Sequence, residues 1–237
     1  MRLKITHDAE SAANAAAAEI ARTCADAVAI RGQALVAFSG GETPWLMLRE
    51  LCRFDLPWQK IFVAQVDERV APRDDARRNF TRLEQILVRA GRLSSAQLLP
   101  MPVETEDLAA AATGYQAALE ERGGTPLQLD LVQLGLGADG HTASLVPGDP
   151  ALQAFDRDVA VTSAYQGLRR MTLTLPAINR ARRRLWLVTG AAKSARLREL
   201  LARTGDAPAI AVSRDDALVV ADESAAGPDL KAGPYPG

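Results

Sequence analysis

Short apolar runs alternate with longer segments of helical periodicity along almost the whole chain. The runs have the length and composition of buried strands, and the segments between them repeat apolar residues at the spacing of a helix face. The predicted strands cover residues 34–38, 61–66, 129–134, 159–163, 171–175, 185–189, 210–212 and 218–221. The predicted helices cover residues 9–30, 43–53, 78–90, 105–122 and 191–203. Strands and helices that alternate in this way favour a parallel sheet.

This alternation predicts an α/β fold with a mostly parallel, Rossmann-like sheet and helices on both faces. The 237 residues, of which 48% are apolar, are enough for a single compact domain with a smaller strand-containing lobe. We assign residues 1–226 to that domain and residues 227–237, which are rich in Gly and Pro, to a poorly ordered tail. Residues 1–33, ahead of the first predicted strand, are expected to form one Ala-rich helical segment.

Charge and cysteine content narrow the class of protein. The formal net charge of −1 gives no basic excess, so a nucleic-acid partner is not expected. No apolar run reaches the roughly 18 residues that span a bilayer, and the N-terminus turns acidic before any signal-like stretch. We therefore expect a cytoplasmic protein without a membrane partner. Cys24 and Cys52 lack the spacing of metal ligands and are expected to be reduced thiols.

Three polar loops follow predicted strands, and parallel sheets bind ligands at such strand ends. The first loop begins with Ser39, Gly40 and Gly41, whose backbone N–H groups can approach an anion closely. Thr43 adds a hydroxyl and is the expected N-cap of the following helix, with Pro44 at the first helical position. The loop lacks the lysine of a Walker motif. It is either a phosphate cradle or a tight turn without a ligand.

Charged residues gather at two further strand ends. Asp67, Glu68 and Arg69 form either a solvated turn or an anion site, because the planar guanidinium of an arginine suits phosphate or carboxylate oxygens. Lys193 lies at the start of a predicted helix, where a cation opposes the helix dipole and a bound anion would compensate. The arginine cluster within residues 180–184 has no aromatic neighbours between its members and is expected to be a solvated rim.

The third loop is a glycine-rich segment, GLGADG, that matches the dinucleotide-binding pattern GxGxxG. That pattern should open a helix, but prolines follow too closely for one, so we reject a dinucleotide site. The loop instead brings Asp139 and His141 to a strand end. An imidazole suits general acid–base chemistry near neutral pH. His141 is thus either a structural histidine or a general base, whereas His7, the other histidine, is expected at the surface.

Taken together, these segments resemble the 6-phosphogluconolactonase family, in the superfamily that also contains glucosamine-6-phosphate deaminase. The resemblance runs from residue 34 to residue 226. The matching segments are SGGETP at 39–44, DERVAP at 67–72 with Asn79 after it, DLVQLGLGADGHTASLVPG at 130–148, TLTLPAIN at 172–179, LVTGAAKSARL at 187–197 and DESAA at 222–226. Several ordered motifs at matching spacing make this a far more specific signal than any single loop.

The resemblance implies a hydrolase that converts 6-phospho-D-glucono-1,5-lactone to 6-phospho-D-gluconate in the oxidative pentose phosphate pathway, without a metal or organic cofactor. His141 matches the family's catalytic base, which activates a water for attack on C1 and returns the proton to the ring oxygen. Asp67 and Asp139 match polar positions beside the reacting end of the sugar, and Asp139 is a candidate to orient His141. Besides Thr43, the residues expected to hold the phosphate are Ser39, Gly40, Gly41, Arg69, Arg170 and Lys193.

Three departures from the family pattern bear on function. Glu42 puts an acid beside the phosphate loop where serine is frequent, so its side chain is expected to point away, and Arg78 also replaces a frequent serine. Val146 stands where the deaminase carries a glutamate, and valine cannot transfer a proton, which favours the lactonase.

Besides the deaminase, the second alternative to a lactonase is a non-catalytic sugar-phosphate sensor. Such a sensor usually carries a DNA-binding unit, and residues 1–33 are expected to leave no room for one with a linker. We expect a monomer.

Overall fold

In the computed structural model, which describes residues 1–231, strands and helices alternate as the sequence predicts. The strands are β1 (Arg2–Thr6), β2 (Ala34–Phe38), β3 (Ile61–Gln65), β4 (Asp67–Arg69), β5 (Leu98–Leu99), β6 (Leu131–Leu134), β7 (Val159–Val161), β8 (Arg170–Leu173), β9 (Arg184–Val188) and β10 (Ala217–Asp222). The helices are α1 (Ala9–Arg31), α2 (Glu42–Leu51), α3 (Asn79–Leu83), α4 (Leu108–Gly123), α5 (Leu175–Arg180), α6 (Ser194–Ala202) and α7 (Glu223–Lys231). The predicted tail begins inside α7, and residues 232–237 lie outside the described residues.

Seven strands form the central sheet in the order β1-β10-β9-β6-β2-β3-β5, and every neighbouring pair is parallel. The remaining three strands form a small antiparallel sheet in the order β4-β8-β7. β4 begins two residues after β3 ends, so the small sheet is attached at the carboxyl edge of the large one. These two sheets confirm the mostly parallel sheet and the smaller strand-containing lobe that the sequence predicts.

Side chains of the central strands alternate between two apolar cores, one on each face of the sheet. In β2, Leu35 and Ala37 pack into one core, whereas Val36 and Phe38 pack into the other. Residues of α1, α2 and α3 complete the second core, and residues of α4 to α7 complete the first. The buried face of α1 consists mostly of alanines, which allow a close approach to α2. Helices therefore cover both faces, as predicted.

The prediction of a single helical segment over residues 1–33 is wrong, because β1 precedes α1. β1 lies at the edge of the sheet, where Arg2 and Lys4 are exposed and the other three residues are only partly buried. Charges on an edge strand discourage pairing with other chains. They also break up the apolar run by which a buried strand is identified, and this is why sequence analysis missed β1.

Two further local predictions are wrong. Residues 210–212 do not form a strand, since Pro208–Ala211 make a 3₁₀ turn that begins with a proline, a residue that lacks the N–H a strand needs. Arg184 does not belong to a solvated rim, because it is only 3% exposed and donates to the carbonyls of Asn179 and Ala181. Its guanidinium thus ties the start of β9 to the end of α5.

Both cysteines are free thiols. Cys24 is buried in α1, and burial raises the pKa of its thiol to about 12, which leaves almost no reactive thiolate near neutral pH. Between residues 1 and 231, no helix is both long enough and apolar enough to cross a lipid bilayer. The same residues contain no group of three or more His, Cys, Asp or Glu side chains that could hold a metal ion.

Candidate active site

A cavity of about 200 Å³ opens at the carboxyl edge of the central sheet, where the chain leaves β2, β3, β6 and β9. Its lining residues are Ser39, Gly40, Asp67, Arg69, Asn79, Gly135, Leu136, Gly137, His141, Ala143, Arg170 and Lys193. We distinguish an anion end, formed by Ser39, Gly40, Arg69 and Asn79, from a base end, formed by Asp139 and His141. The cavity thus brings together the three loops that the sequence analysis singled out, and most of the predicted site residues line it.

His141 projects into the cavity with 25% of its side chain exposed. Its Nδ1 lies 2.5 Å from Oδ1 of Asp139, and its backbone N–H donates to the same oxygen over 3.1 Å. Burial raises the pKa of Asp139, but the hydrogen bonds from His141 outweigh burial and hold that pKa below its ordinary value. An ionised carboxylate only accepts hydrogen bonds, so Nδ1 must carry the proton. In the neutral imidazole, Nε2 then has a free lone pair and can act as a base.

Two glycines make room for this pair. A Cβ on Gly137 would overlap ring atoms of His141 and would lie 2.5 Å from Oδ1 of Asp139. Gly140 has a φ of +86°, and a Cβ there would collide with Ala207. No helix follows directly, since the next helical turn in the described chain is the 3₁₀ turn at Pro150–Gln153. The pattern GxGxxG therefore provides space for a histidine and an aspartate, in agreement with the rejection of a dinucleotide site.

The first loop is tied both to the neighbouring strand and to the second loop. Ser39 donates its N–H to Oε1 of Gln133 and its hydroxyl to the carbonyl of Gln133, each over 3.1 Å. Gly40 lies against the amide of Asn79, where a Cβ would overlap Oδ1. Asn79 donates to the carbonyl of Asp67 over 2.9 Å and accepts at Oδ1 from Arg69. The contact between Gly40 and Asn79 thus fixes the spacing of the two loops.

The carboxylate of Glu68 is fully buried behind the anion end. It forms an ion pair with Nε of Arg78 over 3.0 Å, and Arg78 also reaches Glu104 over 2.9 Å. The Glu68 carboxylate also accepts four hydrogen bonds of 2.7 to 2.9 Å. The donors are the side chain of Gln65 and the backbone N–H groups of Arg69, Asn79 and Phe80. The charges at 67–69 therefore do not form a solvated turn. Arg78, which departs from the family pattern, neutralises the buried carboxylate that shapes the second loop.

Three cations face the cavity, namely Arg69, Arg170 and Lys193. Burial lowers the pKa of Arg170, Arg69 lowers it further, and Asp67 opposes both effects, but an arginine stays charged under these influences. Asp67 is the one carboxylate among the lining residues of the described chain, and it accepts from the hydroxyl of Ser144 over 2.6 Å. Positive charge is therefore in excess, which suits a small ligand with a phosphate group.

The start of α2 differs from the prediction. The helix begins at Glu42 with Gly41 in the N-cap position, so Thr43 lies inside the first turn and is not the N-cap. The hydroxyl of Thr43 instead forms a hydrogen bond of 2.7 Å with that of Thr189 after β9. Gly41, Thr43 and Asp139 are absent from the cavity lining given above. Glu42 is exposed and lines a neighbouring groove to which Arg69 and Arg170 also contribute, so the orientation of its side chain away from the phosphate stays a prediction.

Several polar residues of the site were missed. Asn79 follows a matching motif, but its sequence position gave no indication of its contact with Gly40. Gln133 interrupts an apolar strand, and a polar residue there is a usable signal of a strand-end contact. Tyr165 donates its hydroxyl to Oδ2 of Asp139 over 3.0 Å. The only sequence signal near it is Gly167, which lies between two predicted strands and favours a hairpin.

A larger groove of about 780 Å³ lies between α4 and the segment that leads into β7. Its charged lining residues within the described chain are Asp107, Asp156 and Arg157. Arg157 is already paired with Asp156 over 2.9 Å, so this groove offers no cation to a phosphate group. The smaller cavity combines unmatched positive charge with a histidine, and we therefore regard it as the active site.

Comparison with known proteins points in the same direction. A family model described as glucosamine-6-phosphate isomerases/6-phosphogluconolactonase matches residues 7–220. A 6-phosphogluconolactonase of Synechocystis sp. is 40% identical over 190 residues, which cover 76% of each chain. The crystal structure of a 6-phosphogluconolactonase from Thermotoga maritima superposes with a TM-score of 0.82 at 26% identity, covering 93% of this chain and 98% of that one.

A monomeric glucosamine-6-phosphate deaminase has the same fold. It superposes with a TM-score of 0.83 at 21% identity, covering 97% of this chain and 100% of that one. The fold alone therefore does not separate lactone hydrolysis from deamination, and the choice between them depends on the residues of the cavity.

Proposed function

Because the chain belongs to the glucosamine-6-phosphate isomerase/6-phosphogluconolactonase family, we infer that it is an enzyme that hydrolyses 6-phospho-D-glucono-1,5-lactone to 6-phospho-D-gluconate in the pentose phosphate pathway. The observation that carries the inference is that His141, whose Nδ1 is paired with Asp139, faces the same cavity as three cations. A phosphosugar lactone has one group for each part of this cavity. Its phosphate suits the cations, and its ester carbonyl suits a water-activating base.

Binding of the phosphate is assigned to the anion end and the cations beside it. Arg69, Arg170 and Lys193 supply charge, and the backbone N–H groups of Gly40 and Gly41 are candidates to donate to phosphate oxygens. Asp67, held by Ser144, accepts hydrogen bonds and is suited to the sugar hydroxyls. Charge at one end and a base at the other would orient C1 of the lactone towards His141.

Hydrolysis then needs one proton to move twice. Nε2 of His141 accepts a proton from water as the water oxygen attacks C1 of the lactone. Asp139 stabilises the resulting imidazolium through Nδ1–H. When the bond from C1 to the ring oxygen breaks, Nε2 returns the proton to that oxygen, which becomes the hydroxyl of the open-chain product. The histidine ends in its starting state, and no other proton donor is required.

Deamination of glucosamine 6-phosphate is the alternative that the fold permits. The side chain at position 146, where the deaminase has glutamate, is a buried valine beside the catalytic loop. A hydrocarbon can neither donate nor accept the extra proton that ring opening and isomerisation of an amino sugar require. This observation favours the lactonase.

Three properties stay predictions from the sequence. The enzyme is expected to be monomeric, to be cytoplasmic and to have no nucleic-acid partner.

The test follows lactone produced in situ and measures 6-phosphogluconate above the spontaneous rate. The native chain should accelerate hydrolysis, and His141→Ala should lower kcat by about 10²- to 10⁴-fold, as expected for loss of a general base. His7→Ala removes the only other histidine, whose side chain is 83% exposed, and should leave kcat unchanged. A native chain without activity, or one that instead releases ammonia from glucosamine 6-phosphate, would overturn the proposal. Full activity of His141→Ala would remove only its role as the base.

A further inference from the structure

Tyr165 lies at the tip of a hairpin outside every segment that carries the family resemblance. The hairpin connects β7 to β8, and Tyr165 and Leu168 exchange backbone hydrogen bonds across it. The two residues between them, Gln166 and Gly167, have φ values of +52° and +81°. A two-residue turn with positive φ at both positions matches the twist of the strands it joins. The turn therefore holds Tyr165 in one place beside the base end.

The side chain of Tyr165 contacts the base end of the cavity and one of the cations that line it. Its hydroxyl donates to Oδ2 of Asp139 over 3.0 Å, while Oδ1 of the same carboxylate accepts from His141. Its ring meets the imidazole edge-on, with centroids 5.6 Å apart and an interplanar angle of 64°. The guanidinium carbon of Arg170 lies 5.0 Å from the centroid of the tyrosine ring. One phenol thus contacts the carboxylate, the base and a cation of the site.

The second oxygen of Asp139 needs a partner for a physical reason. The terminal torsion of an aspartate is soft, so a carboxylate held only through Oδ1 can rotate. The side chain of Asp139 is 36% exposed, so water competes for Oδ2. Burial and the contact with Asp139 raise the pKa of Tyr165, so the phenol keeps its proton and remains a donor. A fixed phenol prevents rotation of the carboxylate at little entropic cost, since its own position is set by the hairpin.

We propose that Tyr165 is a positioning residue of the hydrolysis, which locks Asp139 through Oδ2 so that His141 keeps its proton on Nδ1 and its lone pair on Nε2. Tyr165 touches neither the water nor the lactone in this role, and it acts through Asp139. The role rests on the proposed lactonase function, but the contact on which it depends can be tested independently of activity.

The experiment compares Tyr165→Phe, which keeps the ring and removes the hydroxyl, with Ser163→Ala, which removes an exposed hydroxyl from the same hairpin. Tyr165→Phe should lower kcat about tenfold, the effect of one hydrogen bond made to a charged group, with KM unchanged. In the Asp139→Asn background the same substitution should change kcat by less than about twofold, because the carboxylate that the hydroxyl holds is gone. Ser163→Ala should leave kcat unchanged in either background.

A spectroscopic readout separates this role from a general effect on folding. The Nδ1 proton of His141, in a short hydrogen bond to a carboxylate, should give a low-field proton NMR signal that persists in His7→Ala and is lost in His141→Ala. Tyr165→Phe should shift and broaden that signal, whereas Ser163→Ala should not. An unchanged signal and an unchanged kcat in Tyr165→Phe would overturn the proposal, and so would a raised KM at native kcat. If the native chain hydrolyses no lactone, the proposed function fails. The NMR signal alone then tests whether the hydroxyl of Tyr165 holds Asp139 in place.

Discussion

The anion end and the base end of the cavity are built by different means. At the anion end, loops are held by Glu68, whose carboxylate is fully buried, accepts four hydrogen bonds and pairs with Arg78. At the base end, His141 and Asp139 lie on a glycine-rich loop with 25% and 36% of their side chains exposed. The difference teaches that the proposed phosphate site is anchored by a buried carboxylate, whereas the proposed base is held by hydrogen bonds that are partly exposed. Substitutions at the two ends should therefore have different consequences.

The largest expected effect is on stability. Glu68→Gln keeps the shape of the side chain but leaves Arg78 without its buried counter-charge, and breaking a buried ion pair in this way costs about 3–5 kcal/mol of the free energy of unfolding. Asp139→Asn, the matched change at the base end, should cost less than about 1 kcal/mol, because its carboxylate is partly exposed. Denaturant-induced unfolding of both variants measures the two losses. Equal losses would contradict the contrast between the two ends.

A second prediction separates the ends by kinetics. Gly137→Ala places a methyl group against His141 and should lower kcat by roughly 10²-fold, since displacement of a catalytic group by about 1 Å has that effect. Gly40→Ala presses on Asn79 instead and should mainly raise KM, by about tenfold, as expected for loss of uniform binding. Gly114→Ala is the control, because a Cβ there meets nothing within 4 Å. If Gly137→Ala and Gly40→Ala changed the same kinetic constant, the proposed assignment of catalysis to the base end and of phosphate binding to the anion end would be wrong.

The smallest expected effect is on the pH dependence of stability. The pKa of Asp139 is lower in the folded protein than its ordinary value. The ionised carboxylate therefore stabilises the fold at every pH above the ordinary pKa, and this stabilisation is lost as the pH falls through the lower pKa of the folded protein. Native protein should thus be slightly more stable than Asp139→Asn near neutral pH, and the difference should shrink as the pH falls below the ordinary pKa of an aspartate. Unfolding curves at several pH values check this. A difference that grew on acidification would have the wrong sign.

Much of the fold follows from the amino-acid pattern. A buried parallel strand such as β2 is a continuous apolar run, and its pattern differs clearly from the periodicity of the helices on either side of it. The positions of Ser39 and His141 also follow. Ser39 comes directly after β2, the loop that carries His141 begins directly after β6, and all carboxyl ends of a parallel sheet lie at one edge.

Other features depend on contacts that no local pattern contains. β4, with the sequence Asp-Glu-Arg, has no apolar residue and is a strand only because β8 pairs with it. Arg184 belongs to an arginine cluster, yet it is buried because distant carbonyls accept from it. Tyr165 reaches Asp139 from a hairpin 26 positions away. Tertiary pairing decides each of these cases, and a single sequence does not record which residues will meet.

The pairing of β1 with β10 has a consequence for how the protein is made. Thr6 of β1 contacts the carbonyl of Ala221 in β10, and the two residues are 215 positions apart. During synthesis β1 therefore leaves the ribosome long before β10, its one neighbour among the described strands, exists. Contacts between such distant segments form slowly. We expect β1 to dock last, so that ribosome-bound chains that end before β10 expose an unpaired edge of β9 to chaperones.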